Sequence, residues 1–139
     1  MKNILAILCL AINLLNADFI RDDNLSVVTD TSTNLMWQDD LNVNNKIWEE
    51  AIKYCEDLTL ANYNNWRLPN IRELFTLIDF KQEKGRSLSF ENIKDSKYLS
   101  STTKANSNES VFIINTFSLS SESKLKTEAI YIKCVRNKN

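Results

Sequence analysis

Apolar residues fall along this chain in two rhythms, one of period two and one of helical period, and the switches between them mark its elements. Val27, Val28 and Thr29 predict a short strand over residues 25–29, and the polar run from Asp30 to Asn34 predicts a turn after it. Leu35, Met36, Trp37 and Gln38 predict a second strand, so the two are expected to pair as a hairpin. Asn34 stands where such a turn asks for a positive φ, which Asn tolerates best after glycine, and the chain has only 1 Gly. Over residues 45–58 the pattern turns helical: Trp48, Ala51, Ile52, Cys55 and Leu58 share one face, which points Cys55 inward. Pro69 and Asn70 announce a second helix, with Asn70 as N-cap, Glu73 as its capping-box partner, and Ile71, Leu74, Leu77 and Ile78 as its apolar stripe. The run Trp66-Arg67-Leu68-Pro69 is then an extended lead-in between the helices.

Residues 81–97 are polar around Gly85 and predict a long surface connection. Strands are expected over residues 98–102, 111–117 and 129–135, separated by turns or loops at 103–110 and 118–127. In the last strand Ile130, Ile132 and Cys134 share a face, which turns Cys134 toward the core. Two inward cysteines can meet only if that final strand packs across the first helix. There is no internal repeat and no low-complexity tail.

The first seventeen residues change the picture. Lys2, an apolar run over residues 4–15 broken only by Asn13, and the small Ala17 follow the layout of a secretory signal, leaving a single domain over residues 18–139. The apolar run is shorter than the ~18 residues of a spanning helix, so no stable membrane span is expected once the signal is cut. Cleavage removes Lys2 and Cys9, so 17 basic side chains become 16 against 18 acidic ones, and 3 cysteines become two. That balance favours neither nucleic acid nor an anionic surface. In an oxidising compartment the remaining pair, Cys55 and Cys134, reads as a disulfide. The expected location is extracytoplasmic, in the periplasm or at the cell surface, since both lie beyond the same signal.

Candidate chemistry is sparse. The chain has no histidine, which removes His-based triads, His acid-base catalysis and His metal ligands together. Two cysteines without histidine make a poor zinc site. Ser100, Ser101 and Thr102 cluster three hydroxyls, but a nucleophile needs an adjacent base, so they are read as hydrogen-bonding groups at a strand-to-loop corner. Asp39 and Asp40, with Asn42 and Asn44, offer oxygen ligands without the spacing of a calcium loop. No residue set proposes a reaction, and no cofactor is implied, so a non-enzymatic protein is expected. Two features are candidate binding residues. Trp66 and Arg67 suit a recognition surface, although core packing for Trp66 and an ion pair from Arg67 to Glu73 or Asp79 are the preferred reading. Lys81, Lys84 and Arg86, with Lys94 and Lys97, form a locally basic stretch where a sulfated glycan or other polyanion could dock. Glu83, Glu91 and Asp95 interrupt it, as they would in a plain solvated loop.

Six pieces occur in order: Val28-Thr29-Asp30; Asn34-Leu35-Met36-Trp37-Gln38; Trp48-Glu49-Glu50-Ala51 with Tyr54-Cys55; Trp66-Arg67-Leu68-Pro69 with Glu73-Leu74; Tyr98-Leu99-Ser100-Ser101-Thr102; and Cys134-Val135-Arg136. Together they resemble the C-terminal domain family of the Legionella collagen-like adhesin over nearly all of the chain after the signal. The resemblance implies an α+β, C-type-lectin-like fold, in which two helices pack on small antiparallel sheets and one disulfide joins a helix to the last strand. Two positions depart from the family pattern: Asn34 replaces a Gly before Leu-Met-Trp, and Leu99 replaces a Trp. The function implied is an exported binding module that recognises a glycan or an envelope protein. The alternative is a periplasmic structural or assembly protein without glycan affinity.

Overall fold

The structure, a computed structural model, describes residues 19–42, 44–78 and 90–139. The expected hairpin is present: strands β2 (Val27–Asp30) and β3 (Leu35–Gln38) pair antiparallel, with Asp30 opposite Leu35 and Val27 opposite Gln38. Asn34 has φ 58°, as the turn requires. Asp30 closes the turn, its Oδ1 accepting from the Ser32 N–H at 2.9 Å and its Oδ2 from the Thr33 hydroxyl at 2.6 Å. Strand β1 (Phe19–Asp22), which precedes the predicted elements, pairs with β2, and the final strand β9 (Val135–Asn137) pairs with β3, giving one antiparallel sheet in the order β1-β2-β3-β9.

Helix α1 spans Trp48–Asp57, with Glu49 and Glu50 in the first turn where the helix dipole favours them. It starts later than the helical spacing suggests, because Asn45–Lys46 forms strand β4, whose backbone pairs with β8 (Ile130–Tyr131). Helix α2 is short, Ile71–Phe75, and carries the expected capping box in full. Its apolar stripe outruns it: Leu77 and Ile78 are buried from the turn that follows.

The second sheet runs β4-β8-β5-β6-β7, with β5 at Lys97–Thr103, β6 at Ser110–Asn115 and β7 at Ser120–Leu125. It is mixed, since β8 joins β5 in parallel at Tyr131 and Tyr98. Three expectations need correction. The strand anticipated over residues 129–135 is two short strands, β8 and β9, in different sheets. The stretch 118–127 is not all loop, for β7 pairs along the whole of β6. The connection before residue 97 is not all surface either, because Phe90 and Ile93 are buried among core residues.

Neighbouring residues of the same strands feed two separate cores. Val27, Met36, Leu99, Ile113 and Cys134 pack with Ala51 and Cys55 of α1, while Val28, Trp37, Tyr98, Ile114 and Val135 pack with Leu74 and Leu77 beside α2. Burial on both faces explains why β3 is buried at every position and reads as a continuous run instead of an alternation. The Cys55–Cys134 disulfide lies in the first core, with the two Cα atoms 5.4 Å apart. The fold class is α+β, with two helices, two small sheets and one disulfide among the described residues.

Candidate functional site

Of the two conspicuous neighbours Trp66 and Arg67, the first goes inward. Trp66 is buried in the first core, its indole N–H donating to the carbonyls of Leu60 at 3.3 Å and Tyr63 at 3.1 Å. Arg67 goes the other way because its residue is a two-sided bridge: its N–H and C=O both bond Val135 at 2.9 Å, which fixes the backbone and presents the guanidinium to α2. There Nη1 and Nη2 donate to the two oxygens of Glu73 at 2.8 and 2.7 Å, and Nη2 also donates to Asn137 Oδ1 at 3.0 Å. The same Glu73 carboxylate accepts the Asn70 N–H at 2.9 Å, so one side chain completes both a helix cap and a bidentate fork.

Burial alone would push the Glu73 carboxyl up. The Arg67 bonds, the Asn70 N–H and the Arg67 charge outweigh it and hold the group below the usual carboxylate range. A carboxylate so depressed contributes stability that is fully present above its unfolded value of ~4.3 and is lost as pH falls through the folded value. Glu73→Gln keeps an oxygen for the Asn70 N–H and is therefore expected to cost about 1–2 kcal/mol at neutral pH from the lost charge-assisted bonds to Arg67 alone. It should also flatten the decline in melting temperature between neutral pH and pH ~3. An acid limb in the variant as steep as in the wild type would show that other carboxylates control it.

Beside this fork opens a groove of about 530 Å3. Thr33 and Asn34 of the β2–β3 turn form one wall, Arg72, Glu73 and Thr76 of the α2 region a second, and Asn137 of β9 a third. Arg67 does not line it but clamps two residues that do, Glu73 and Asn137. The groove thus has hydroxyl and amide walls held in place by an ion pair, with exposed Arg72 supplying a cation at the rim. Such a surface can hydrogen-bond a polyhydroxylated or anionic ligand.

The other polar clusters are committed to the fold. Asp39 is buried and spends its carboxylate on Lys133 Nζ at 2.8 Å, on Arg21, and on the N–H groups of Glu91 at 2.8 Å and Asn92 at 3.0 Å. Asp40 accepts from Gln38 Nε2 and Asn42 Nδ2, both at 2.9 Å. Ser100 donates to the Phe112 carbonyl at 2.6 Å, and Thr102 Oγ1 accepts the Ile71 N–H at 3.0 Å. Among the described residues no three His, Cys, Asp or Glu side chains gather to hold a metal ion, and no helix is long and apolar enough to cross a membrane. Lys81, Lys84 and Arg86 lie outside the described residues. Of the two cations singled out with them, Lys97 pairs with Glu122 at 3.1 Å and Lys94 sits 5.3 Å from the Tyr131 ring centre. The groove residues carried no signal in the sequence beyond turn and cap chemistry, since they come from three segments that only tertiary structure joins.

These features define a small disulfide-tied α+β module with an open polar groove on its surface. The chain belongs to the Lcl C-terminal domain family, whose model matches residues 26–136. The match covers both hairpin strands, both helices and both cysteines. Among curated proteins none matches the chain.

Proposed function

We propose that this chain is an exported, non-enzymatic binding module of the cell envelope or surface, which recognises a glycan or protein partner in the groove beside α2. The observation that carries the reading is the groove itself: hydroxyl, amide and guanidinium groups from three segments converge on one opening and are braced from behind by Arg67. Export is supported by the cationic and apolar N-terminal segment and by a disulfide of the kind that persists in oxidising compartments. Family membership supports an adhesin-associated role. We read the architecture as a variant of the C-type lectin fold, on the grounds that α1 is bonded to the chain's final stretch and both sheets are small.

The test is an array of sulfated and neutral glycans, probed with the domain and with two variants. Arg72→Ala with Thr76→Ala alters the groove, and neutralising Lys81, Lys84 and Arg86 alters the basic stretch. Binding weakened at least about tenfold by the groove variant alone supports the reading. Binding lost only with the basic stretch moves the site there. A silent array, together with a single envelope protein recovered by cross-linking, selects the assembly role.

A further inference from the structure

A second groove, of about 340 Å3, opens at the far end of the β4-β8-β5-β6-β7 sheet and shares no residue with the first. Asn45, Ser96, Lys97, Asn115, Phe117 and Tyr131 are among its lining residues. Phe117 stands out there, since it is 78% exposed on the turn between β6 and β7.

The turn is built in a way that keeps the ring out. Thr116 is buried and locked to Ser96, its N–H donating to the Ser96 carbonyl at 3.0 Å and its hydroxyl accepting the Ser96 N–H at 3.0 Å. Asn115 Oδ1 accepts the N–H of Phe117 at 3.0 Å and of Ser118 at 3.2 Å. Leu119 closes the turn at φ 55°, a left-handed conformation that a side chain of this kind adopts only under constraint, and it packs on the second core. With residues on either side pinned, Phe117 has no route inward. The apolar ring is displayed on a rigid mount.

Beneath it the polar groups are wired together. Asn115 Nδ2 donates to Glu122 Oε1 at 2.9 Å, and Lys97 Nζ donates to Glu122 Oε2 at 3.1 Å. The bonds from Asn115 and then Lys97 hold the Glu122 carboxyl below the usual carboxylate range, so it stays an acceptor into mildly acidic conditions. Lys97 is paired with Glu122, and the other lining residues are uncharged. Tyr131 already has Lys94 Nζ 5.3 Å from its ring centre and the Tyr98 ring at 6.1 Å, which leaves Phe117 as the open aromatic face. A flat apolar face beside fixed donors and acceptors matches a pyranose ring, which carries an apolar C–H face and a rim of hydroxyls. The volume lies at the low end of small-molecule sites, at about 300–1,000 Å3, and suits one sugar unit better than a chain.

We infer that this groove is a binding site for a single uncharged pyranose unit, stacked on Phe117 and hydrogen-bonded by Asn115 and Lys97, which Glu122 holds in place. The site stands independently of the groove beside α2. The test is a titration of the full domain with lactose, cellobiose, mannobiose and chitobiose, read by ligand-observed NMR up to millimolar concentrations. At least one should bind, with Phe117→Ala weakening it about tenfold or more and Phe117→Tyr retaining it. Binding that Arg72→Ala abolishes and Phe117→Ala leaves intact would place the sugar in the groove beside α2 and overturn the assignment. Because the ring is exposed, Phe117→Ala should melt at the wild-type temperature, and its loss of binding cannot then be a loss of fold. No binding by any of the four sugars, equal binding by Phe117→Ala, or a dimer that Phe117→Ala converts to a monomer would each overturn the assignment.

Discussion

Replacing both bonded cysteines, Cys55→Ala with Cys134→Ala, is expected to lower stability by up to about 4.5 kcal/mol, the chain-entropy value for the loop this bond closes. The loop is long, with the two residues 79 positions apart in sequence, so cutting it frees most of the unfolded chain. Against a domain stability of about 5–15 kcal/mol, a contribution of that size is a large share of the total. Native contacts around Cys134 survive the change. Gln38 N–H donates to the Cys134 carbonyl at 2.9 Å, the Cys134 N–H donates to Gln38 Oε1 at 3.2 Å, and Gln38 Nε2 reaches the Tyr54 hydroxyl at 3.0 Å. These bonds still tie β3 to both α1 and the residues before β9. The variant should therefore fold to the same structure with a lower urea midpoint and a steeper urea dependence, because its unfolded state opens further. Reductant should reproduce the shift in the wild type and do nothing to the variant. An unchanged midpoint, or two thiols titrating in unreduced, denatured protein, would show that the bond does not carry this load.

The parts of the fold that could be read in advance are those set by local chemistry. Asn70 and Glu73 announce α2 because a capping box closes within four residues, and Asn34 marks its turn because few residues accept a positive φ. Cys55 showed its orientation through helical spacing; Cys134 is buried as expected, but from between β8 and β9, in a run buried from Ile132 to Arg136 and not in an alternating strand. Elements set by distant partners were hidden. Strand β7 reads Ser-Ser-Glu-Ser-Lys-Leu and is buried on neither face, so it has no apolar alternation to detect; pairing with β6 is what makes it a strand. Residues 129–135 alternate without a break, yet β8 pairs with β4 and β5 while β9 pairs with β3. Between them Lys133 turns into a buried site at Asp39, a position 94 residues away. Candidate sites divide the same way. The Arg67–Glu73 pair lies six residues apart and was within reach of sequence reasoning, whereas both grooves join segments that meet only in the folded chain.

Removing the Asp39 carboxylate should be nearly as damaging as cutting the disulfide. Asp39 follows β3 and is fully buried, with its N–H donating to Ser26 O at 2.9 Å. Its carboxylate gathers Arg21 of β1, the backbone of Glu91 and Asn92, and Lys133 between β8 and β9, so three distant segments depend on one side chain. Asp39→Ala leaves the Lys133 ammonium, 3% exposed, without its ion-pair partner, and leaves the N–H groups of Glu91 and Asn92 without their acceptor. Such a loss typically costs about 3–5 kcal/mol, a fall in melting temperature on the order of 10–20 °C for a domain of this size. The cost should depend on pH with a definite sign. Burial already holds Lys133 below the ordinary lysine range, partly offset by the Asp39 charge, and deleting that charge lowers it further. Between the depressed folded value and the unfolded value of ~10.4 the unfolded chain binds more protons, so the variant gains stability as pH rises through that window. Its deficit relative to wild type should shrink as pH rises from neutral toward the unfolded lysine value of ~10.4. Adding Lys133→Met removes the stranded charge, so the double variant should be more stable at neutral pH than Asp39→Ala alone. Melting curves of the four proteins at both ends of that range decide it: a deficit that is independent of pH, and unrelieved by Lys133→Met, would place the load on the backbone bonds at Glu91 and Asn92 instead of on the buried charges.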